Sequence, residues 1–134
     1  MKKRNSFALI ALCFMFFFLT ACGGGNLQVD YDLTKLDGVT MTVGEALNTE
    51  TYQSKYKNKV FRVRGKHFTS GEDYHYLVVQ DGVCCDFDIE IRLADDSMSY
   101  PATNKNVIVV ATYTYVPKTA TTSSTFYLSV AEFE

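Results

Sequence analysis

The side chains best able to do chemistry lie in the middle of the 134-residue chain, around the adjacent pair Cys84-Cys85. In an extended strand these two thiols point to opposite faces. Adjacent Cα atoms are about 3.8 Å apart, short of the roughly 4.4–6.8 Å of an ordinary disulfide. A bond between them requires a strained turn, and strain makes it easier to reduce. Three readings stand side by side: a structural pair (bridged or packed thiols), a redox pair, or a soft-metal site with His67 or His75 as further ligands. The chain has no C-x-x-C motif and no histidine pair at ligand spacing, so no metal is assigned and the structural pair is preferred.

The other candidates are weighed in the same way. His75 stands between Tyr74 and Tyr76 and, by alternation, shares a face with Leu77 and Val79; His67 shares a face with Phe61 and Val63. Histidines so placed are read as satisfying buried hydrogen bonds. No serine or cysteine is positioned to use either as a base. Asp86, Asp88 and Glu90 alternate, but same-face carboxylates two residues apart are spread by about 6.6–6.8 Å, and Ile91 stands where a calcium loop needs glycine. They read as a solvated strand face. Lys55, Lys57, Lys59, Arg62, Arg64 and Lys66 fall in a stretch without an acid. Arg62, Arg64 and Lys66 would share one strand face, near Tyr74 and Tyr76 on the next strand and Tyr113 and Tyr115 on a later one. Cations beside aromatic rings suit an anionic sugar, a cell-envelope polymer or a protein strand. The alternative is an ordinary solvated face with tyrosines stiffening cross-strand pairs.

The elements that must position these residues are mostly strands. Asn26 to Val39 lacks periodicity and reads as a tether or weak edge segment. Thr42-Val43-Gly44-Glu45-Ala46-Leu47 reads as a helix start, with Thr42 and Glu45 at capping-box spacing, and the helix fades near Tyr56. From Val60 the period is two. Strands are expected over Val60–Phe68, Tyr74–Gln80, Asp88–Leu93, Asn106–Val116 and Phe126–Phe133. Turns fall at Thr69–Asp73 and Asp81-Gly82, and a loop with Pro101 spans Asp95–Lys105.

At the N-terminus, Lys2, Lys3 and Arg4 precede an apolar run, Phe7 to Leu19, that is short for a membrane span of about 20 residues. Leu19-Thr20-Ala21-Cys22 follows and resembles a bacterial lipobox. The resemblance implies a signal peptide over 1–21, lipid on Cys22, a flexible tether over 22–40 through Gly23-Gly24-Gly25, and a membrane-anchored protein on the extracytoplasmic face. No Asp follows Cys22, unlike the inner-membrane retention signal of Gram-negative lipoproteins, which points to the outer face of a Gram-positive membrane. Five strands after one short helix resemble small exported OB-fold-like proteins. The matching features are Thr42 to Leu47, Val60-Phe61-Arg62-Val63-Arg64-Gly65, and a tyrosine-rich second strand ending in Asp81-Gly82. That resemblance implies a five-stranded OB-like β-barrel over 41–134, with ligands bound across the strands and at loops Thr69–Asp73 and Pro117–Thr125. A convincing helix between the third and fourth strands is missing, which keeps an immunoglobulin-like sandwich in play.

Composition sets the remaining bounds. Without Lys2, Lys3 and Arg4, ten basic residues face fifteen acidic ones. A mildly acidic domain is a poor partner for nucleic acid, whose binding rests on neutralised phosphates. Once Cys13 and Cys22 are set aside, only Cys84 and Cys85 remain, so this is no disulfide framework. With no nucleophile, phosphate loop, acid/base pair or cofactor motif, the chain reads as a non-enzymatic binding module. The competing reading is a metal- or thiol-handling protein using Cys84 and Cys85.

Overall fold

A computed structural model of the chain describes residues 27–35, 37–80 and 86–134. The protein is mostly β. In chain order the elements are β1 (Tyr31–Leu33), α1 (Gly38–Leu47), α2 (Glu50–Tyr56), β2 (Val60–Ser70), β3 (Tyr74–Gln80), β4 (Asp86–Leu93), β5 (Asn106–Val116) and β6 (Thr125–Phe133). The strands form one mixed sheet in the order β1-β2-β3-β4-β6-β5, and β2 also pairs with β5. Each of β2 to β6 therefore has a neighbour on both edges. The β1–β2 and β4–β6 pairs are parallel and the others antiparallel.

This corrects the expectation of five strands after a single helix. The added strand, β1, lies in the segment read as a tether or weak edge segment and takes the second form, with Tyr31, Asp32 and Leu33 pairing with Phe61, Arg62 and Val63 at the end of the strand order. The helix begins earlier than the Thr42–Glu45 spacing indicates. Asp37 is its N-cap, accepting from the Thr40 amide at 2.8 Å, while Thr42 lies inside and its hydroxyl donates to the Gly38 carbonyl at 2.8 Å. Helical structure then breaks at Asn48-Thr49 and resumes as α2, ending at Tyr56 as the sequence indicates. Asn58 follows with φ 64°, turning the chain into β2. Among the described residues no helix is long and apolar enough to cross a membrane.

Alternation builds the core as the period-two pattern requires. Phe61 and Val63 of β2, Leu77 and Val79 of β3, Ile89 and Ile91 of β4, Val109 and Tyr113 of β5, and Leu128 and Val130 of β6 are all buried. Leu33, Leu47 and Tyr56 join them from β1 and the helices. Tyr31 stacks on Phe61 at 4.9 Å between ring centroids, and Tyr56 meets both rings edge-on. Burying such side chains is worth roughly 1.5–3 kcal/mol each before conformational entropy is counted.

The strand that organises the sheet is β2. Its first part, residues 60–66, pairs with β5 along one edge, while β1 covers only residues 61–63 of the other. On that second edge β3 takes over from Lys66 to Ser70. Arg64 and Gly65 lie where the two neighbours part. A Cβ at Gly65 would sit 2.6 Å from Leu77 Cγ and 2.7 Å from the Val78 carbonyl oxygen, so the close approach of β3 requires glycine.

Candidate functional site

The parting of β1 and β3 opens a groove of about 770 Å³ over β2, lined by Leu33, Thr34, Arg64, Gly65, Lys66, Phe68, Val78, Gln80, Asp86, Asn106, Val107, Ile108 and Glu134. Arg64 and Lys66 are exposed and lie on the same outer face. Among the described residues neither has an ion-pair partner. The Lys66 ammonium lies 5.9 Å from the Phe68 ring centroid, a distance at which a cation is attracted to the ring face. Asp86 and Glu134 supply the acidic part of the rim, and Gln80 and Asn106 supply neutral donors and acceptors.

Arg62, expected beside Arg64 as a ligand contact, is instead engaged within the sheet. Its Nε donates to Glu134 Oε1 at 3.0 Å, its Nη2 pairs with Glu134 Oε2, and its Nη1 donates to Asp32 Oδ2 at 3.3 Å. One guanidinium thus ties β1 to the residue that follows β6. The Arg62 hydrogen bonds hold the Glu134 carboxyl below the usual carboxylate range. The Asp32 carboxyl is held low first by the Thr34 hydroxyl and then also by the Thr34 amide and Arg62, against the opposing effect of burial.

Tyr74 and Tyr76 share the outer face with Lys66, since Ser70 pairs with Tyr74 and Phe68 with Tyr76. Neither lines the groove: Tyr74 is exposed near the hairpin turn, and Tyr76 lies farther along β3 opposite Glu90. Tyr113 and Tyr115 are on the opposite face from Arg62. Arg62 pairs with Val110 and Phe61 with Ala111, so odd-numbered β5 residues point inward. Tyr113 is fully buried, its hydroxyl donating to the Leu47 carbonyl at 3.3 Å, and burial raises its pKa. Tyr115 is half-buried and packs against the core. The proposed tyrosine–arginine face therefore reduces to Arg64 and Lys66, flanked by Phe68 and, beyond the groove, by Tyr76.

Asp86, Asp88 and Glu90 take the outer side of β4. Glu90 accepts from Arg92 Nε at 2.6 Å, and the Arg92 guanidinium lies 4.0 Å from the Tyr127 ring centroid. Cys22, Cys84 and Cys85 lie outside the described residues. Among the described residues no group of three or more His, Cys, Asp or Glu side chains is placed to hold a metal ion.

The structure also assembles what the sequence left apart. His67 is buried and His75 half-buried, and His67 Nε2 lies 3.0 Å from His75 Nδ1. His67 Nδ1 lies 3.3 Å from the Ala102 carbonyl oxygen. Tyr100 stacks on His75 with 3.4 Å between ring centroids and 5° between planes. The β2–β3 hairpin creates this arrangement: Gly71, at φ 72°, makes the turn, and register sets His67 diagonal to His75. The sequence signal was a histidine on the inward face of each hairpin strand, equidistant in number from Gly71. Burial first, and then the neighbouring His67, lowers the pKa of His75 against an opposing pull from Asp73.

Compared with known proteins, the chain matches no protein-family model and no curated relative.

Proposed function

We propose that this chain is a lipid-anchored, extracytoplasmic binding module of OB-like type, whose ligand lies in the groove over β2. The observation that carries the reading is a sizeable groove containing two exposed cations, Arg64 and Lys66, without ion-pair partners among the described residues. Ligand pockets of soluble domains are typically about 300–1,000 Å³. The ligand chemistry that fits is an anionic group beside an apolar or ring surface, as a charged cell-envelope polymer presents. Phe68, Val78 and Ile108 offer the apolar contacts, while Gln80 and Asn106 can orient hydroxyl or amide groups. The OB-like part of the reading is supported by strand order: β2 to β6 each have two neighbours, and β4 lies parallel to β6. The anchor rests on the Leu19-to-Cys22 motif.

Sedimentation of the Cys22→Ser chain, which carries no lipid, with isolated cell envelopes tests the groove. Replacing Arg64 and Lys66 together with Ser is expected to weaken binding at least about tenfold, equivalent to about 1.4 kcal/mol. Arg62→Ser should weaken it much less, because that guanidinium is already committed to Asp32 and Glu134. Undiminished binding by a folded Arg64→Ser/Lys66→Ser variant would retire the groove as the ligand site.

A further inference from the structure

The loop between β4 and β5, residues 94–105, is held to the β2–β3 hairpin chiefly at His67 and His75. The His67 amide donates to the Lys105 carbonyl at 2.9 Å, and the Asn104 amide donates to the His67 carbonyl at 2.7 Å. The His67 ring reaches the Ala102 carbonyl, and His75 carries the Tyr100 ring. Tyr100 is fixed from behind, its hydroxyl accepting from the Leu93 amide at 3.3 Å and donating to the Ile91 carbonyl at 3.4 Å. The two histidines, through the His67 backbone and both rings, are therefore the joint between hairpin and loop.

The protonation states follow from the partners. A carbonyl accepts only, so His67 Nδ1 carries a proton toward Ala102, and in the neutral ring Nε2 is then bare. His75 Nδ1–H must donate to that bare nitrogen, which leaves His75 Nε2 free. One added proton can go to His75 Nε2 with the joint intact and its hydrogen bond charge-assisted. A second must go to His67 Nε2, where it faces the His75 N–H across 3.0 Å. Two donors and two positive charges cannot share that separation, so the rings must part.

We propose that His67 and His75 form a proton-operated latch, closed with zero or one added proton and opened by the second, which frees the 94–105 loop from the hairpin. The groups around the pair fit this assignment. Burial and then His67 disfavour the first proton on His75, and Asp73, at the hairpin turn, is the charged side chain that pulls the other way. Tyr100 contributes a neutral ring, and Ala102, Asn104 and Lys105 meet His67 through backbone atoms. No carboxylate among these contacts is placed to neutralise the second proton.

The test is a pH titration of the full chain from 8 to 4, following both imidazoles by ¹⁵N chemical shift and the Asn104 amide by hydrogen exchange. One ring should take up its proton with the Asn104 amide still protected. The second uptake should coincide with loss of protection, the opening constant rising by up to about tenfold per pH unit for that proton. In His75→Gln, which keeps a donor for His67 Nε2 but has no second charge, the acid opening should shift down by at least about one pH unit or vanish. Two independent titrations near the ordinary histidine value of about 6.5 with Asn104 protection unchanged would overturn the latch. An identical acid opening in His75→Gln would do the same. The wild-type shifts decide the matter even if that variant fails to fold.

Discussion

Replacing Gly65 with Ala probes the close approach on which the groove depends. Gly65 has no positive φ, so alanine fits the backbone, and the obstacle is space alone. The new methyl would lie 2.6 Å from Leu77 Cγ, 3.0 Å from Leu77 Cδ1 and 2.7 Å from the Val78 carbonyl oxygen. Leu77 is fully buried and cannot swing clear, while Val78 is fixed by its pairing with Lys66 and Asp88. Overpacking of this kind costs about 1–3 kcal/mol. Against it stands about 0.4–1 kcal/mol gained by restricting the unfolded chain. The expected net is a destabilisation of about 1–2 kcal/mol, or a Tm lowered by roughly 5–15 °C for a domain of this size. Urea and thermal denaturation followed by far-UV circular dichroism measure it. Envelope binding by the still-folded variant should fall as well, since displacing β3 moves Val78 and Gln80 in the groove. A Gly65→Ala protein as stable as the parent would refute the argument that β3 crowds β2 at this point.

Further expectations concern the core, the ion-pair bridge and the anchor. Tyr113→Phe removes the hydroxyl that satisfies the Leu47 carbonyl and should cost about 0.5–1.5 kcal/mol by urea denaturation, leaving envelope binding unchanged. Asp32 and Glu134 have carboxyl pKa values lowered by folding. Their contribution is therefore full above the unfolded carboxylate range of about 3.9–4.3 and is lost as pH falls through the lower folded values. Arg62→Ala should flatten that acid limb of the stability profile while changing neutral-pH stability little, as exposed pairs do. Cys22→Ser should release the protein from membranes stripped of envelope polymer or stall its processing, as fractionation with an anti-chain antibody would show.

The strands were legible because Phe61, Val63, Leu77, Val79, Ile89 and Ile91 alternate with polar neighbours, and a half-buried strand needs only that contrast. In β5 the contrast fails. Val107 to Ala111 is apolar on both faces, so the phase that sends Tyr113 inward cannot be read locally and is fixed by pairing with β2 and β6. The irregularity between Val110 and Ala111 obscures it further. Strand β1 was legible only as a weak edge segment, because three residues carry no period and its partner lies about thirty residues away. The helix start was misplaced because Thr42 and Glu45 mimic a capping box, whereas Asp37 makes the cap. At the candidate site, Arg64 and Lys66 were legible as an outward basic pair. The commitment of Arg62 was not, because Glu134 lies 72 positions along the chain. The histidine joint is not legible in alternation, which assigns His67 and His75 the same face but not the hairpin register that sets them diagonal.

The position of β6 has a consequence for how the molecule comes into being. It is the last of the described strands, yet it lies between β4 and β5, parallel to one and antiparallel to the other. A chain that emerges N-terminus first can form the β2–β3–β4 meander early from nearest neighbours. It cannot give β4 its second partner until Thr125–Phe133 arrives. Until then the Ile91–Leu93 stretch of β4 has an unpaired backbone edge of the kind that invites pairing with other chains. Contacts of such long sequence separation also slow folding toward milliseconds or seconds. The closing residues thus act as the keystone of the sheet, and a nascent chain has to be kept from its neighbours until they are in place.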